Sequence, residues 1–340
     1  MTIEASISLH NLTTFRIGGR ARFFCCVTNI HELSEAIAFA DREKIPFFVL
    51  GEGSNILVSD EGFPGLVIKM DILGIDFENL SGDKVKVKAG AGENWDYLVA
   101  LTVEKGLYGL ENLSFIPGTV GAAPVQNIGA YGAEVKDTIT EVETFDTVEK
   151  KVKIFTHKAC HFTYRDSFFK TKEGKRYIIT SVSFTLNSKG SVKTEYKDVK
   201  DYFAKKQNKN PSLTEVRQAV IEIRQAKLPD VKKLGTAGSF FKNPIIGKRE
   251  YQALLKHYPK LPSYNLDTSH VKIPAAWILD NLCNFKGYRE KHVGVYESQA
   301  LVLVNFGNAT ADEVLQLANA MQKCVKEKTG IDLLFEVQIV

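Results

Sequence analysis

Apolar and polar positions follow two periods along this chain, one typical of helices and one typical of strands. Over residues 31–106 the pattern first predicts a helix at 31–44, followed by strands at 46–50 and 56–58. It then predicts a pair of strands, 65–69 and 84–89, around a polar turn, and a helix over 95–106. Helices and strands are mixed without the regular alternation of a doubly wound sheet, so the fold class expected is α+β.

The later part of the chain has clearer boundary signals. Ser212 with Glu215, and Thr310 with Glu313, have the spacing of a capping box, and each pair opens a predicted helix. The remaining elements expected are strands: a hairpin over 139–148 and 150–156, a strand over 177–186 and a final strand over 333–340. The length of 340 residues suggests two or three domains, with boundaries near residues 70 and 226.

Composition narrows the class of protein. With 44% hydrophobic and 25% charged residues the chain is ordinary for a soluble globular protein, and its net charge of +4 includes no long basic block, so no nucleic-acid partner is expected. No secretory signal or membrane-length apolar run is visible, so neither export nor membrane insertion is expected.

The His–Cys–His segment 157–161 lacks a second cluster, so no metal site is expected. No CxxC pair occurs, so reduced cytoplasmic thiols are expected for the five cysteines, which are Cys25, Cys26, Cys160, Cys283 and Cys324.

A short glycine loop, GEGSN over 51–55, follows a predicted strand. It lacks the third glycine of a Rossmann fingerprint. Glycines allow close approach and positive φ, so several N–H groups can converge there on a pyrophosphate, with Ser54 and Asn55 as further donors. An ordinary turn between two strands is an equal alternative.

The block 114–132, SFIPGTVGAAPVQNIGAYG, is more specific. Its glycines and prolines specify a long, non-repetitive backbone path rather than flexibility. Loops of this kind wrap flat cofactors and offer N–H and C=O groups to ring heteroatoms. A structural loop without a ligand is the alternative.

Three polar residues stand in suggestive surroundings. Ser239, in GSFFKNP, lacks the His–Asp setting of an acylating nucleophile, so its hydroxyl suits a proton donor or an anion ligand, unless the segment is a structural turn. Arg165, in YRDSFFK, offers a fork for a carboxylate, with a surface Arg–Asp pair as the alternative. Glu336 interrupts an apolar run; it either faces outward or is held with a raised pKa.

Together these motifs resemble those of the UDP-N-acetylenolpyruvoylglucosamine reductases, the MurB family of flavoenzymes. The resemblance runs from residue 11 to Glu336 through NLTTFRIGG, GEGSNILVSD, IPGTVGAAPVQNIGAYG, YRDSFFK, KLPD, GSFFKNP and YESQALVLVN. It implies a two-part FAD-binding domain of the vanillyl-alcohol-oxidase (PCMH) type and a separate α+β substrate-binding domain. The parts implied are 1–70 (completed by 330–340), 71–225 and 226–329.

The resemblance also implies a reaction. NADPH would reduce non-covalently bound FAD and leave, and the enolpyruvyl ether of UDP-N-acetylglucosamine would then take a hydride from flavin N5 to give UDP-N-acetylmuramate, a peptidoglycan precursor. Ser239 would deliver a proton to C2 of the substrate, while Arg165 and Glu336 would stabilise the enolate. The partner would be a nucleotide sugar in the cytoplasm, and a monomer is favoured.

The other site residues implied by the resemblance form two groups. The residues expected at FAD are Gly51, Gly53, Ser54, Asn55, Gly118, Gly121, Gln126, Asn127, Gly129 and Arg224. Of these, Arg224 is expected near the N1–C2=O edge of the flavin. Those expected at the nucleotide sugar are Tyr164, Tyr196, Lys227, Asn243, Lys286 and Gln299. Two departures stand out: Ala122-Ala123 replaces serines found in some members, and Gln338 replaces a common arginine.

Two rival hypotheses stay open at this point. The chain could be another FAD oxidoreductase of the same fold that acts on an alcohol or a hydroxy acid. It could also be a nucleotide-sugar-binding protein that has lost catalysis, although the presence of Arg165, Ser239 and Glu336 together argues against that.

Overall fold

Residues 1–340 are all described by the computed structural model, and they fall into two units. Unit 1 consists of Met1–Ile7, Ala21–Glu52 and Pro64–Gln225. Unit 2 consists of Ser8–Arg20, Gly53–Phe63 and Ala226–Val340. The three-part domain division expected from the sequence stays a prediction.

The elements alternate as the mixed periodicities suggest. The strands are β1 Ile3–Ser8, β2 Arg20–Val27, β3 Phe47–Leu50, β4 Ile56–Leu57, β5 Phe63–Met70, β6 Ile75–Asn79, β7 Lys84–Gly90, β8 Gly129–Ala130, β9 Ala133–Glu134, β10 Ile139–Asp146, β11 Lys151–Thr156, β12 Tyr177–Asn187, β13 Ile245–Gly247, β14 Tyr264–Asn265, β15 His270–Lys272, β16 Arg289–Glu290, β17 Val293–Val295, β18 Leu303–Asn305 and β19 Gln338–Ile339. The helices are α1 Ile30–Glu43, α2 Trp95–Glu104, α3 Lys197–Lys205, α4 Leu213–Lys227, α5 Lys248–His257, α6 Ala275–Asn281 and α7 Ala311–Thr329.

Unit 1 is built on two larger sheets, with strand orders β1-β2-β5-β3 and β11-β10-β12-β7-β6. Helix α1 begins where the Asn29 side chain accepts the Glu32 N–H, and its buried apolar face joins a core that also contains Trp95 and Phe184. The predicted hairpin is confirmed, since β10 and β11 pair antiparallel. The Ser212 capping box is confirmed at the start of α4, where Ser212 and Glu215 exchange hydrogen bonds.

Unit 2 has its core around α7. The Thr310–Glu313 capping box is confirmed, and the helix ends at Gly330 in the left-handed region at φ +72°. The apolar face of α7, including Val314 and Met321, packs in one cluster with the small sheets β13-β15-β14 and β16-β17-β18. Strand β19 pairs in parallel with β4.

Two strand predictions were wrong in their pairing or length. The predicted pair 65–69 and 84–89 separates, because β5 runs parallel to β3 in one sheet while β7 pairs with β12 and β6 in the other. Periodicity missed β6, whose side chains are only half-buried or exposed. The final strand is limited to β19, whose two residues pair with β4.

The prediction of reduced thiols was wrong for one pair of cysteines. Cys283, just after α6, is bonded to Cys324 on α7, with the two Cα atoms 6.1 Å apart. Their separation of 41 residues carries no spacing signal, so the packing of the two helices decides the bond. Cys25, Cys26 and Cys160 are free thiols, and burial raises the pKa of Cys25 and Cys160 to about 12.

No helix of this fold combines the length and the apolar character needed to cross a membrane.

The turn between β10 and β11 depends on a buried carboxylate. Asp146 has no exposed surface, and its oxygens accept hydrogen bonds from the N–H groups of Val148 and Glu149 and from the Arg176 guanidinium. Burial raises the pKa of Asp146, but the hydrogen bonds from Arg176 and the two N–H groups outweigh burial and lower the pKa to about 2. The ionised form therefore stabilises the folded state.

We predict that Asp146→Asn lowers the free energy of unfolding at pH 5 by about 2 kcal/mol, since charge-assisted hydrogen bonds are lost. A carboxyl whose pKa is lowered by folding stabilises the protein above its unfolded pKa near 4, and this stabilisation disappears as pH falls through about 2. The difference between wild type and variant should therefore shrink from pH 5 towards pH 2 in urea unfolding experiments. Asp83→Asn, on an exposed turn, is the control, and a pH-independent difference would contradict the assignment.

Candidate active site

The first glycine loop begins directly after β3, at Gly51. The Gly51 carbonyl accepts a hydrogen bond from Lys69 Nζ at 2.5 Å. A Cβ at this position would lie 2.8 Å from Thr119 Oγ1, so only glycine fits without displacement. The next residue, Glu52, accepts the Gly118 N–H on Oε2 at 2.8 Å and the Asn94 side-chain amide on Oε1. The two predicted cofactor loops thus meet inside unit 1.

The second glycine loop also requires close backbone approach. Gly118 has φ +134°, and a Cβ at Gly121 would lie 2.6 Å from the Ala91 Cβ. At Gly121, as at Gly51, the missing Cβ makes room for neighbouring atoms of the chain itself, so the loops can pack closely on their surroundings. Glycine loops held in this way can offer main-chain N–H and C=O groups, which suit the flat rings and diphosphate of FAD. The residues present therefore fit the cofactor that the sequence motifs imply.

The end of this loop holds the predicted catalytic arginine. Arg165 donates from Nη2 to the Gly129 carbonyl at 2.5 Å and from Nη1 to the Asn127 carbonyl at 3.4 Å. Arg165 and Asn127 are both left-handed, at φ +53° and +45°. The guanidinium carbon lies 5.4 Å from the ring centroid of Tyr164. The structure therefore brings Arg165 to the predicted cofactor residues, with Gln126 in the same turn.

The side chain of Asn127 is committed to the protein itself. Its Nδ2 donates to Glu134 Oε2 and to the Thr163 carbonyl, at 3.0 and 2.9 Å, while its Oδ1 accepts the Lys136 N–H at 3.1 Å. This buried amide fixes the strained turn, so a role at FAD would fall to the backbone of Asn127.

Arg224, on α4, lies in a cluster of aromatic residues. Its Nε donates to the Phe115 carbonyl at 3.0 Å. Burial lowers the pKa of Arg224, although a hydrogen bond with the Tyr131 hydroxyl opposes that shift. The Tyr131 ring lies edge-on to Tyr196, 5.5 Å between centroids, so Tyr131 connects a predicted flavin residue with a predicted substrate residue. Sequence reasoning did not select Tyr131 for the site; its place in the GAYG motif was the available signal.

An ion pair missed by the sequence analysis orients this cluster. Arg217 donates to both carboxylate oxygens of Asp96, at 2.7 and 3.0 Å, and Asp96 also accepts the Phe115 N–H. Burial raises the pKa of Asp96, but these hydrogen bonds outweigh it and the pKa is lowered. The pair fixes the Phe115 peptide at φ +60°, whose carbonyl then receives Arg224. Its members are 121 residues apart, so no local pattern reveals it.

In unit 2, the loop residues 53–55 lie against the C-terminal segment. Gly53 has φ +65°, and its carbonyl accepts the Thr14 N–H at 3.1 Å. Asn55 donates from Nδ2 to the Glu336 carbonyl at 3.2 Å, and its own carbonyl accepts the Gln338 N–H at 3.0 Å. Predicted cofactor residue Asn55, next to Ser54, and predicted catalytic residue Glu336 are therefore direct neighbours.

Ser239 and Glu336 lie on adjacent backbone segments. The Glu336 N–H donates to the carbonyl of Phe240 at 2.9 Å, one residue after Ser239. Ser239 itself forms a β-bridge with Val302. Before it, Gly238 has φ +74° and donates its N–H to Thr236 Oγ1 at 3.1 Å. The half-buried serine thus lies between a glycine bonded to the Thr236 hydroxyl and a phenylalanine bonded through its main chain to Glu336.

The predicted substrate residues of unit 2 have varied surroundings. Asn243 Oδ1 accepts the Ala275 N–H at the start of α6, at 2.9 Å. The Gln299 carbonyl accepts the N–H of Val302, the bridge partner of Ser239, at 3.1 Å. Lys286 pairs with Asp280 at 3.1 Å on the surface, and Lys227 is the last residue of α4.

Two family models match the chain. The model for an FAD binding domain matches residues 21–153. The model described as the C-terminal domain of UDP-N-acetylenolpyruvoylglucosamine reductase matches residues 229–340. Together with the observed mixture of helices and strands, these matches confirm the predicted fold class, an FAD-binding domain combined with a second α+β domain.

Similar proteins cover the chain from end to end. UDP-N-acetylenolpyruvoylglucosamine reductase of Flavobacterium johnsoniae is 41% identical over 100% of both chains, and that of Chromobacterium violaceum is 42% identical over 98% of both. Among solved structures, the crystal structure of UDP-N-acetylenolpyruvylglucosamine reductase (MurB) from Thermus caldophilus matches with a TM-score of 0.70 at 25% identity, over 100% of this chain and 99% of that one.

Proposed function

The chain belongs to the UDP-N-acetylenolpyruvoylglucosamine reductase family, and from this premise we propose that it reduces enolpyruvyl-UDP-N-acetylglucosamine to UDP-N-acetylmuramate with electrons from NADPH. It is an FAD-dependent oxidoreductase of peptidoglycan precursor synthesis. The observation that carries the finer proposal is the backbone pairing that sets Glu336 beside the Ser239 segment.

FAD would be held chiefly by main-chain groups. The backbone of 51–55 and of 118–132 forms the glycine-lined loops, and Arg224 adds a positive charge. When bound, FAD supplies hydride-transfer chemistry between NADPH and the substrate. No histidine or cysteine lies within either loop, so we propose that binding is non-covalent.

Arg165 would stabilise the charge that develops on the substrate. Hydride addition at the terminal vinyl carbon leaves an enolate conjugated with the substrate carboxylate. The Asn127 and Gly129 carbonyls orient the guanidinium before any substrate arrives, and preorganised donors of this kind lower the barrier because they need no rearrangement in the transition state. Tyr164 would support the same group from its ring face.

Ser239 would donate the proton that completes the reduction at C2. Its backbone is fixed by the Val302 bridge and by the left-handed Gly238, so its hydroxyl is held in one region. Glu336, in its protonated form, would donate a hydrogen bond to the substrate carboxylate. Tyr196, Lys227, Asn243, Lys286 and Gln299 are proposed to contact the nucleotide sugar, because amide, phenol and ammonium groups suit a diphosphate and a nucleoside.

We predict that the purified protein is yellow and that acid precipitation releases all of the colour, since the flavin is not tethered. Under anaerobic conditions NADPH should bleach the protein, and enolpyruvyl-UDP-N-acetylglucosamine should restore the colour with formation of UDP-N-acetylmuramate. Bleaching that only oxygen or a dye reverses would overturn the proposed substrate. Colour that stays with the precipitated chain would overturn non-covalent binding.

We predict that Arg165→Lys slows the substrate half-reaction by roughly 10²-fold, because lysine keeps the charge but loses the fork that binds a carboxylate with two hydrogen bonds. Stopped-flow absorbance measures flavin reduction by NADPH and reoxidation by substrate separately. The first step should change little, and the surface variant Arg22→Lys should change neither. Equal slowing of both steps would assign Arg165 to the flavin or to the fold instead.

We predict that Ser239→Ala retains FAD content and NADPH-driven bleaching but slows reoxidation by substrate at least roughly 10²-fold, the lower range for loss of a positioned proton donor. Ser239→Cys should recover part of the rate, since a thiol is a better acid in nearly the same place. Ser269→Ala, on an exposed turn of unit 2, is the control. An unchanged reoxidation rate in Ser239→Ala would remove Ser239 from the mechanism.

A further inference from the structure

We propose that Glu52 is a positioning residue of the FAD site, whose carboxylate holds the first glycine loop against the second. Glu52 is the one charged residue in GEGSN, and it makes no other contribution to the mechanism described above. The inference rests on the proposed cofactor and concerns how this chain prepares its backbone for it.

The contacts of Glu52 all lie within unit 1. Oε2 accepts the main-chain N–H of Gly118 at 2.8 Å, and Oε1 accepts the side-chain amide of Asn94. Directly before it, Gly51 packs on Thr119, where any Cβ would come within 2.8 Å of Oγ1. The carboxylate therefore joins the two loops directly beside the close contact of Gly51 with Thr119.

The receiving side of this contact is rigid. Asn94 forms a β-bridge with Thr119, and the Trp95 N–H donates to the Gly118 carbonyl at 2.9 Å. The Asn94 Oδ1 accepts the Tyr97 N–H at 2.9 Å and caps α2. Because this oxygen is engaged, the Asn94 amide can present only its NH₂ group to Glu52 without uncapping the helix.

A carboxylate is the side-chain group that satisfies both donors together. Each of its two oxygens accepts a hydrogen bond, whereas a glutamine offers one oxygen and one NH₂ group. In Glu52→Gln, either Gly118 or Asn94 would face a second donor and lose its bond. The substitution therefore removes one of the two contacts with almost no change in volume.

The negative charge of Glu52 makes the direction of the change in FAD affinity informative. A negative group close to the loops that are to receive a diphosphate repels the ligand, and a purely electrostatic role would make its removal tighten FAD binding. A positioning role makes its removal weaken FAD binding, because the Gly118 N–H and the loop backbone lose their fixed orientation. The two roles thus predict opposite changes in the FAD dissociation constant.

The test compares Glu52→Gln with a matched control, Glu93→Gln. Glu93 is likewise half-buried and accepts one main-chain N–H, from Gly74 at 2.7 Å, but it contacts neither loop through its carboxylate. Apo-protein is titrated with FAD, and binding is followed by quenching of flavin fluorescence. We expect the dissociation constant to rise roughly 10-fold in Glu52→Gln, the effect of losing a charge-assisted hydrogen bond, and less than about 2-fold in the control.

Amide hydrogen exchange of the apo-protein provides a readout of position that does not involve FAD. Exchange at Gly118 should be faster in Glu52→Gln than in wild type, while the thermal midpoint of the apo-protein should match that of the control variant. Unchanged or tighter FAD binding in Glu52→Gln would overturn the proposal. So would a lowered thermal midpoint with an unchanged dissociation constant, which would make Glu52 an ordinary stabilising residue.

These outcomes are separate from failure of the proposed function. If wild-type apo-protein bound no FAD, the proposed function itself would fall. If wild type bound FAD and Glu52→Gln bound it equally well, only the positioning role would fall.

Discussion

The backbone hydrogen bonds of the C-terminal segment are the constraint on which unit 2 depends. Glu336 donates to the Phe240 carbonyl, and Lys242 donates to the Leu334 carbonyl. Each such bond contributes about 1 kcal/mol net, whereas burying a phenylalanine contributes about 3 kcal/mol, and the packed rings of Phe240 and Phe241 are fully buried here. Burial thus supplies most of the stability, and the hydrogen bonds set the register. A slip by one residue would turn Glu336 to the opposite face.

Unit 1 relies on a different constraint, which is unfavourable backbone geometry held in place by polar groups. Phe115, Asn127 and Arg165 all adopt the left-handed region, at a cost on the order of 1 kcal/mol each. Asp96 holds the Phe115 peptide, and the Asn127 amide bonds three partners. These hydrogen bonds offset the strain. The Phe115 carbonyl accepts a hydrogen bond from Arg224, and the Asn127 carbonyl accepts one from Arg165, so the polar network orients these two guanidinium groups.

The sequence predicted what local interactions decide. Both capping boxes begin helices where expected, because a cap involves residues only three positions apart. The glycine loops and the family motifs could also be identified from the sequence, and they predicted the FAD-binding α+β fold. The pairing of distant segments could not be predicted. Strands β5 and β7 belong to different sheets, and the short, half-exposed β6 had no periodicity strong enough to detect.

The same division applies to the candidate site. Arg165, Ser239 and Glu336 were selected by residue type and motif, but their partners could not be predicted. The carbonyls that hold Arg165 belong to a strained turn 36 and 38 residues away, and Asn55 meets Glu336 across 281 residues. Such contacts depend on how loops cross in three dimensions, which no spacing along the chain encodes.

Because of the Cys283–Cys324 bond, the stability of unit 2 depends on the redox state of the surroundings. Closing a loop of 41 residues removes unfolded-state entropy equivalent to about 4 kcal/mol of stability on the chain-entropy model. A reductant withdraws that contribution and leaves the segment after α6, which carries Lys286, attached to α7 by non-covalent packing alone. Two preparations of this chain can therefore be identical in sequence and still differ in the stability of unit 2.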